Sequence, residues 1–591
     1  MTQSVHEKGG SYLTSETDSD YIFTPEDMTE EHHMIADTAR KFVEKEILPA
    51  VDEIEKQGYS LVSKLMKKAG SLGLLAHSIP EKYEGLGLDK ISKGIVGEAV
   101  GATGSYGVAH SNHTCIATLP ITYFGTRAQK EKYLPKLASG EYIGAYCLTE
   151  PEAGSDALSS KTTAVLNEDG SHYLLNGTKV FITNAEFSHT FIVYAKVDGE
   201  KFTAFLVEKD FPGLSLGPEE NKMGIKGSST RSVIFEDCEV PVENVIGEVG
   251  KGHVIALNVL NLGRFNLGSA CTGGAKQGFE KTLSYTTERK QFGTAIADFP
   301  LSKEKLAKMA ARIYAAESVQ YRTSGLLEGA LGGLYDSNDH RLIAGSMMEY
   351  AVECSICKVF GSETLDYVAD EAVQLHGGYG FIKEYDVERM YRDSRINRIF
   401  EGTNEVNRLL IPSTLLKKAA TGELDLEKAV QTAVSESKIG GIEQTVNGTL
   451  ENELEAVRAI RRAFLICSGT VYRVYGQKLK HEQESLKNLA DLAILLYAGE
   501  SVVLRTKKAI ETNGQQKETL KQDLALSFIA DIQTEAEAVV RQLLTGVLSG
   551  EEARQTLRLV LDDLGRYLPE GGINRNRRIA DRMISAQKYK V

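Results

Sequence analysis

The sequence predicts an α+β fold that is mostly α: an N-terminal helical domain, a middle antiparallel β-domain, a helical bundle and a C-terminal helical extension. Three observations predict it. Apolar residues recur with a period of about 3.6 from Thr24 to about Gly140, the period falls to about 2 around Cys147, and it returns to about 3.6 after Lys251-Gly252. At roughly 150 residues per domain, 591 residues make three or four of them. The expected limits are 1–23 for a disordered leader, 24–145 for the first helices, 146–252 for the β-domain, 253–412 for the bundle and 413–591 for the extension.

Composition narrows the classes. Apolar residues at 42% and charged residues at 25% are ordinary for a globular protein. A net charge of −13 argues against a dominant nucleic-acid surface, because phosphate binding needs clustered Lys and Arg. The start, Met1 to Asp20, is rich in Ser, Thr and Gly and has no apolar run, so it reads as disordered and not as a secretion signal. No run reaches the roughly 18 apolar residues of a membrane span. Seven scattered cysteines, an odd number, suit a reducing cytosol better than a disulfide framework, and a cytoplasmic location is expected.

In the first unit, Ile35, Ala39, Phe42, Val43 and Ile47 share one face of a helix that Thr29 can cap. Leu61, Leu65 and Leu72 continue the theme before Pro80 breaks it. His110, His113 and Cys115 have spacing that permits a metal, but no second ligand set follows, so they read as structural or ligand-lining and no metal is expected. In the middle unit, Asn176-Gly177 between apolar runs signals a hairpin. A second hairpin is expected from Phe191–Val197 and Phe202–Val207 around Asp198-Gly199-Glu200, and Ser232 to Phe235 adds a strand, which together make a compact barrel or sandwich.

Beyond Gly252, Leu306, Met309, Ala310, Ile313 and Tyr314 form a seam that wants burial in a bundle. Cys354 and Cys357 look like a C-x-x-C pair but lie in helical sequence without a partner pair, and read as structural. Gly377-Gly378-Tyr379-Gly380 matches neither a P-loop nor a strand-borne G-x-G-x-x-G, which argues against a nicotinamide site. Pro412 is expected to close the bundle. In the extension, Leu486, Leu489, Ala490, Ala493, Ile494 and Tyr497 form an apolar stripe, while Arg458, Arg461 and Arg462 suit either a lipid-facing basic face or, more commonly, the solvated side of a bundle helix.

The chemistry is sought at Arg398 to Glu405. Glu401 stands between Phe400 and Gly402, so it can be desolvated on one side while glycine lets backbone approach a ligand on the other. Burial raises a carboxyl pKa and strengthens it as a base; the bland alternative is an exposed acid at a helix start.

Five stretches then resemble, in order, the signatures of the acyl-CoA dehydrogenase family: Tyr146 to Asp156, Lys179 to Asn184, Glu288 to Gly293, Gln374 to Gly380, and Phe400 to Asn404. The resemblance covers about Met28 to Ile411, and the helical extension is similar to the very-long-chain branch. It implies a four-helix bundle behind the β-domain, and FAD as cofactor. Around the flavin it implies Tyr146, Leu148, Thr149, Ser155, Phe181, Ile182 and Thr183, with Phe181 standing where many members have Trp. For the adenine-diphosphate half, held by a neighbouring subunit, it implies Arg289, Gln291, Phe292, Gln374, Leu375, Gly377 and Gly378, and hence at least a homodimer; Thr403, Asn404 and Glu405 are implied as further flavin contacts.

Ser155, Asn261, Arg264, Phe400 and Gly402 are implied as neighbours of the acyl-CoA, and Glu401 as the base that takes its α-proton while a hydride leaves the β-carbon. Gly101 to His113 is expected to line the base of the cleft. The implied reaction forms a trans-2-enoyl-CoA in β-oxidation of a fatty acyl-CoA, of long chain by analogy, with electrons passed to electron-transferring flavoprotein. Two other readings stay open on the residues alone: a non-catalytic assembly member of the family, and an acyl-CoA oxidase. The extension is also a candidate for peripheral membrane contact.

Overall fold

Helix formation starts where a cap and an apolar stripe coincide. Thr29 accepts a hydrogen bond from the His32 N–H and opens the helix Glu30–Phe42, which buries Ala39 and Phe42. The computed structural model describes residues 7–439 and 450–591. Helices Tyr59–Ser71, Lys90–Gly101 and Arg127–Ser139 complete the first unit, with Val62, Leu65, Leu75, Val96 and Tyr106 in one of its cores.

The leader departs from expectation. Residues 1–6 lie outside the described residues, but from Glu7 onward the chain is packed. Tyr12 and Leu13 are buried, the Tyr12 ring stands 4.8 Å from that of Tyr497, and Arg461 Nε donates to the Tyr12 carbonyl at 3.0 Å. The N–H groups of Gly9 and Gly10 donate to Glu349 (2.7 Å) and Glu353 (2.6 Å). A composition of Ser, Thr and Gly suggests disorder, yet two apolar anchors suffice once residues far along the chain build their pocket.

The middle unit is one sheet with strands β1 (Gly144–Cys147), β2 (Thr163–Leu166), β3 (His172–Thr183), β4 (Thr190–Val197), β5 (Lys201–Glu208), β6 (Leu214–Glu219), β7 (Thr230–Pro241) and β8 (Val245–Ile246). Their order is β6-β7-β3-β2-β4-β5-β8, with β1 also paired to β4. The sheet is mixed and not purely antiparallel: β1 and β2 both run parallel to β4. Those pairs join strands that are not chain neighbours, so no hairpin signal can encode them.

The β4–β5 hairpin forms as expected, turning through Asp198 and Gly199 with positive φ. The Asn176-Gly177 hairpin does not. β3 runs straight through it, and the pair becomes an irregularity against β7 between Leu175 and Gly177. Asn176 exchanges two 2.9 Å hydrogen bonds with Asp237, and a Cβ on Gly177 would lie 2.5 Å from Thr162 Oγ1. Glycine is needed there for the close approach of Thr162, the residue before β2, not for a turn.

Helices Gly252–Glu288, Pro300–Leu331, Ala351–His376 and Asn404–Ala420 form the bundle, with Leu306, Met309, Ala310, Ile313 and Tyr314 fully buried. Cys354 and Cys357 are buried inside the third of these. Pro412 does not end the bundle: Asn404–Ala420 continues through it. Pro412 and Ile411 are buried, so packing outweighs the roughly 3 kcal/mol cost of an interior proline, and the break comes at Gly422 with φ +76°.

Helices Leu426–Ile439, Glu451–Tyr475, Gln483–Asn513, Thr519–Val547, Gly550–Leu564 and Gly572–Ala586 make the extension; residues 440–449 of this unit lie outside the described residues. It packs on the bundle directly. Phe360 and Phe528 meet edge to face at 5.9 Å, and Arg408 spans Glu363 and Asp491 at 2.7 Å each. The arginine group is neither a lipid face nor a solvated side, because Arg461 and Arg462 are buried against Glu500 and Asp563, and Arg458 reaches Glu16 at 2.7 Å. Among the described residues no helix is long and apolar enough to cross a membrane.

Candidate active site

Glu401 and Gly402 are consecutive residues with positive φ, +58° and +77°. Glycine adopts that conformation freely; a glutamate does so only where its surroundings hold it. Thr403 caps the helix that follows, accepting the Val406 N–H at 3.2 Å, so Glu401 precedes the cap and is not itself one. Donors grip the turn from behind. Arg264 Nε reaches the Glu401 carbonyl at 3.4 Å, Lys358 Nζ the Gly402 carbonyl at 2.9 Å, and Asn407 Nδ2 the carbonyls of Gly402 (2.8 Å) and Thr403 (3.0 Å). The Glu401 N–H has no acceptor among the described residues.

The turn borders a cavity of about 660 Å³ between the first helices, the sheet and the bundle. Glu401 opens onto it as a residue, but its Oε2 is sealed from water and has no hydrogen-bond partner among the described residues. Burial raises its pKa from the ordinary 4.5 to about 7, against the opposing pull of the Arg264 and Lys358 cations. The carboxyl has room because residue 263 is glycine: a Cβ there would lie 2.8 Å from Oε2. A carboxylate with a pKa near neutrality, facing a cavity, is matched to proton abstraction.

The sheet supplies the opposite wall. Lys179, wholly buried, donates to Glu150 Oε1 at 2.6 Å and to the Leu148 carbonyl at 3.3 Å, while the Val180 N–H donates to the Thr149 carbonyl at 2.9 Å. These bonds lock the two signatures of the β-domain side by side. The register shift between Lys179 and Ile182, with Phe181 at φ +60°, breaks strict alternation, so Phe181, Ile182 and Thr183 all reach the cavity. Phe181 is 64% exposed, which leaves an aromatic face open to a ligand.

Most of the residues expected from sequence fall into two groups. Tyr146, Leu148, Thr149, Ser155, Phe181, Ile182, Thr183, Arg264, Phe400, Glu401 and Gly402 line the cavity, as do Gly101 to Gly104, Gly107 and Val108. Arg289, Gln291, Phe292, Gln374, Gly377 and Gly378 do not; they lie together on an exposed surface, where the Arg289 guanidinium stands 5.3 Å from the Tyr379 ring and Phe292 is 96% exposed. Leu375 is buried beneath them.

Two of the expected ligand contacts, Asn261 and Asn404, are absent from the cavity wall. Asn261 is buried; its Oδ1 accepts from Arg264 (2.8 Å) and its Nδ2 donates to the Met347 carbonyl (3.3 Å). Asn404 turns into the bundle, accepting from Lys358 at 2.6 Å and donating to Ser362 and Glu363. Both amides are satisfied within the protein. Thr403 is a cap, and Glu405 is exposed on the first turn of its helix. His110 and His113 are buried but absent from the cavity wall; His113 bridges the Leu137 carbonyl and the Gly144 N–H.

Sequence profiles of the acyl-CoA dehydrogenase N-terminal, middle and C-terminal domains match residues 29–141, 145–238 and 250–416, and a further C-terminal-domain profile matches 459–561. The chain belongs to the acyl-CoA dehydrogenase family. It is 50% identical to a probable acyl-CoA dehydrogenase of Bacillus subtilis over 99% of both chains. It is 35% identical to the mitochondrial very long-chain specific acyl-CoA dehydrogenase of Bos taurus, over 89% of this chain and 80% of that one. A crystal structure of an acyl-CoA dehydrogenase complexed with FAD from Bacillus anthracis is similar with a TM-score of 0.96 and 48% identity, covering 99% of this chain and 100% of that one. As a member of this family the chain is an FAD-dependent oxidoreductase.

Sequence reasoning missed Lys358, Gly263, Asn407 and the Lys179–Glu150 pair. Lys358 had a signal, being the one charge between Glu353 and Glu363 in an otherwise uncharged run, where a buried partner is expected. Gly263 had none, because its meaning is a distance to a residue 138 positions away.

Proposed function

We propose that the chain oxidises saturated, long-chain fatty acyl-CoA to the trans-2-enoyl-CoA in fatty-acid β-oxidation. One observation carries the reading: the Glu401 carboxyl, sealed at Oε2 and with a pKa near 7, faces a cavity whose far wall is the open ring of Phe181. The residues fit a flavin. Phe181 offers an aromatic face, and Thr149 and Thr183 bring hydroxyls to the same wall. FAD held there would supply the acceptor for the hydride that leaves the β-carbon.

Glu401 removes the α-proton. That proton is a weak acid, so the thioester oxygen has to be polarised, and the unpartnered N–H of Glu401 is the donor we assign to it. Arg264, bonded to the Glu401 carbonyl, fixes the turn and lends its positive charge as the enolate develops. Phe400 and Gly402 wall the substrate, and Ser155 stands at the mouth.

The length of the cavity supports a long acyl chain. Its lining on helix Gly252–Glu288 runs as a stripe from Leu257 through Leu260, Arg264, Leu267, Cys271 and Gly274 to Lys281, about 36 Å at 1.5 Å per residue. The exposed Arg289 surface is read as the seat of the pyrophosphate half of a second copy's FAD, which makes a homodimer the working unit. Electron-transferring flavoprotein is the proposed acceptor, and seven buried, unpaired cysteines suit the cytoplasm. The arginines that suggested a membrane contact are largely internal, so the reading includes none.

Purified protein mixed anaerobically with palmitoyl-CoA is expected to bleach its flavin and, once an artificial electron acceptor is added, to release 2-enoyl-CoA over many turnovers, with Glu401→Gln keeping flavin but losing turnover by orders of magnitude. Hydrogen peroxide formed in step with product would make it an oxidase. A yellow protein that no acyl-CoA bleaches would instead be an assembly member.

A further inference from the structure

Lys358 is wholly buried on helix Ala351–His376, and its ammonium has no carboxylate in hydrogen-bond contact. It reaches instead two acceptors that flank the turn: the Gly402 carbonyl at 2.9 Å and Asn404 Oδ1 at 2.6 Å. Asn404 is fixed in turn by Ser362 (3.1 Å) and Glu363 (3.0 Å) on the same helix as Lys358. Burying an ammonium is costly, and an apolar side chain of similar length would pack without that cost. The benefit has to lie in what the charge and its hydrogen bonds do to the turn.

We infer that Lys358 is a positioning residue for the proposed reaction, pinning the Glu401–Gly402 turn from behind so that the carboxyl and the Glu401 N–H both face the cavity. This rests on the acyl-CoA reading above. The turn needs such an anchor, because two successive residues with positive φ include one glutamate. The ammonium also favours the ionised form of the carboxyl it sits near. Around Glu401 stand Arg264 from helix Gly252–Glu288, Lys358 from helix Ala351–His376, Cys115 from the segment His113–Ala117, and Tyr146 from β1. Burial holds the Cys115 and Tyr146 protons on, so the cations are Arg264 and Lys358. Lys358 itself is pressed down to about 8 by burial, and faces Cys271, Arg264 and Glu363 besides Glu401.

The test uses the holoprotein with Lys358→Met and Lys358→Gln. Lys358→Met removes both the bond and the charge; kcat on palmitoyl-CoA is expected to fall about ten- to a hundredfold with KM little changed, and the acid limb of the pH profile to move to higher pH. Lys358→Gln keeps a neutral donor for the Gly402 carbonyl, so part of kcat should return while the limb stays displaced. A second readout needs no turnover: the protonated-carboxyl infrared band assigned to Glu401, by its loss in Glu401→Gln, should titrate at higher pH in both variants. Wild-type kcat and an unmoved midpoint would overturn the inference. So would equal losses in the two variants with the midpoint unmoved, which is the signature of packing alone. If wild-type protein oxidises no acyl-CoA, the function reading fails while the infrared midpoint still judges Lys358. Should Lys358→Met not fold, Lys358→Gln and the titration decide.

Discussion

Replacing Glu401 by Gln should stabilise the flavin-free protein, and only above a defined pH. The Glu401 carboxyl has its pKa raised by burial from 4.5 to about 7. A group whose folded pKa is raised contributes stability while protonated; that contribution is complete below pH 4.5 and is lost as pH rises through 7. At about 1.4 kcal/mol per pKa unit, the charged carboxyl costs the fold about 3 kcal/mol at pH 8. Gln has nearly the same shape and never pays this electrostatic cost. For 591 residues at about 2.1 cal/mol/K each, the unfolding entropy is about 1.2 kcal/mol/K, so the Tm difference should be about 2–3 °C. Scanning calorimetry of both proteins from pH 5 to pH 8 reads it directly. The gap should be near zero at the acid end and open steadily toward pH 8. A gap that is independent of pH, or a variant less stable at pH 8, would refute the reasoning that Glu401 is charged against a desolvation penalty.

Other consequences follow from the same geometry. Gly263→Ala places a Cβ 2.8 Å from Glu401 Oε2 and should cost roughly a hundredfold in kcat while circular dichroism and flavin content stay as in the wild type. Arg289→Ala should lower bound flavin, read from absorbance after gel filtration; unchanged flavin would count against a cofactor shared between subunits. Tyr12→Ala empties a buried site between the leader and the extension and should lower Tm by about 2–4 °C. A loose leader would leave Tm where it was.

The sequence by itself determined whatever depends on neighbours within a turn or two. The Thr29 cap, the Leu306 to Tyr314 seam and the β4–β5 hairpin are local, and they stand where the pattern puts them. So do the five signatures, whose residue types are legible without coordinates, and with them the family. The tertiary structure decided whatever depends on a partner far along the chain. Asn176-Gly177 is an irregularity in a strand and not a turn, with Thr162 close against the glycine; Pro412 stays helical because its ring is buried; Arg461 and Arg462 point inward because Glu500 and Asp563 wait there. The leader is ordered for the same reason. At the site the division is sharpest: the sequence names the carboxylate, but its pKa near 7 comes from burial set against Arg264 and Lys358, brought beside it by two other helices. Local pattern fixes which group can act, and long-range packing fixes the dielectric and the charges around it, which decide what that group does.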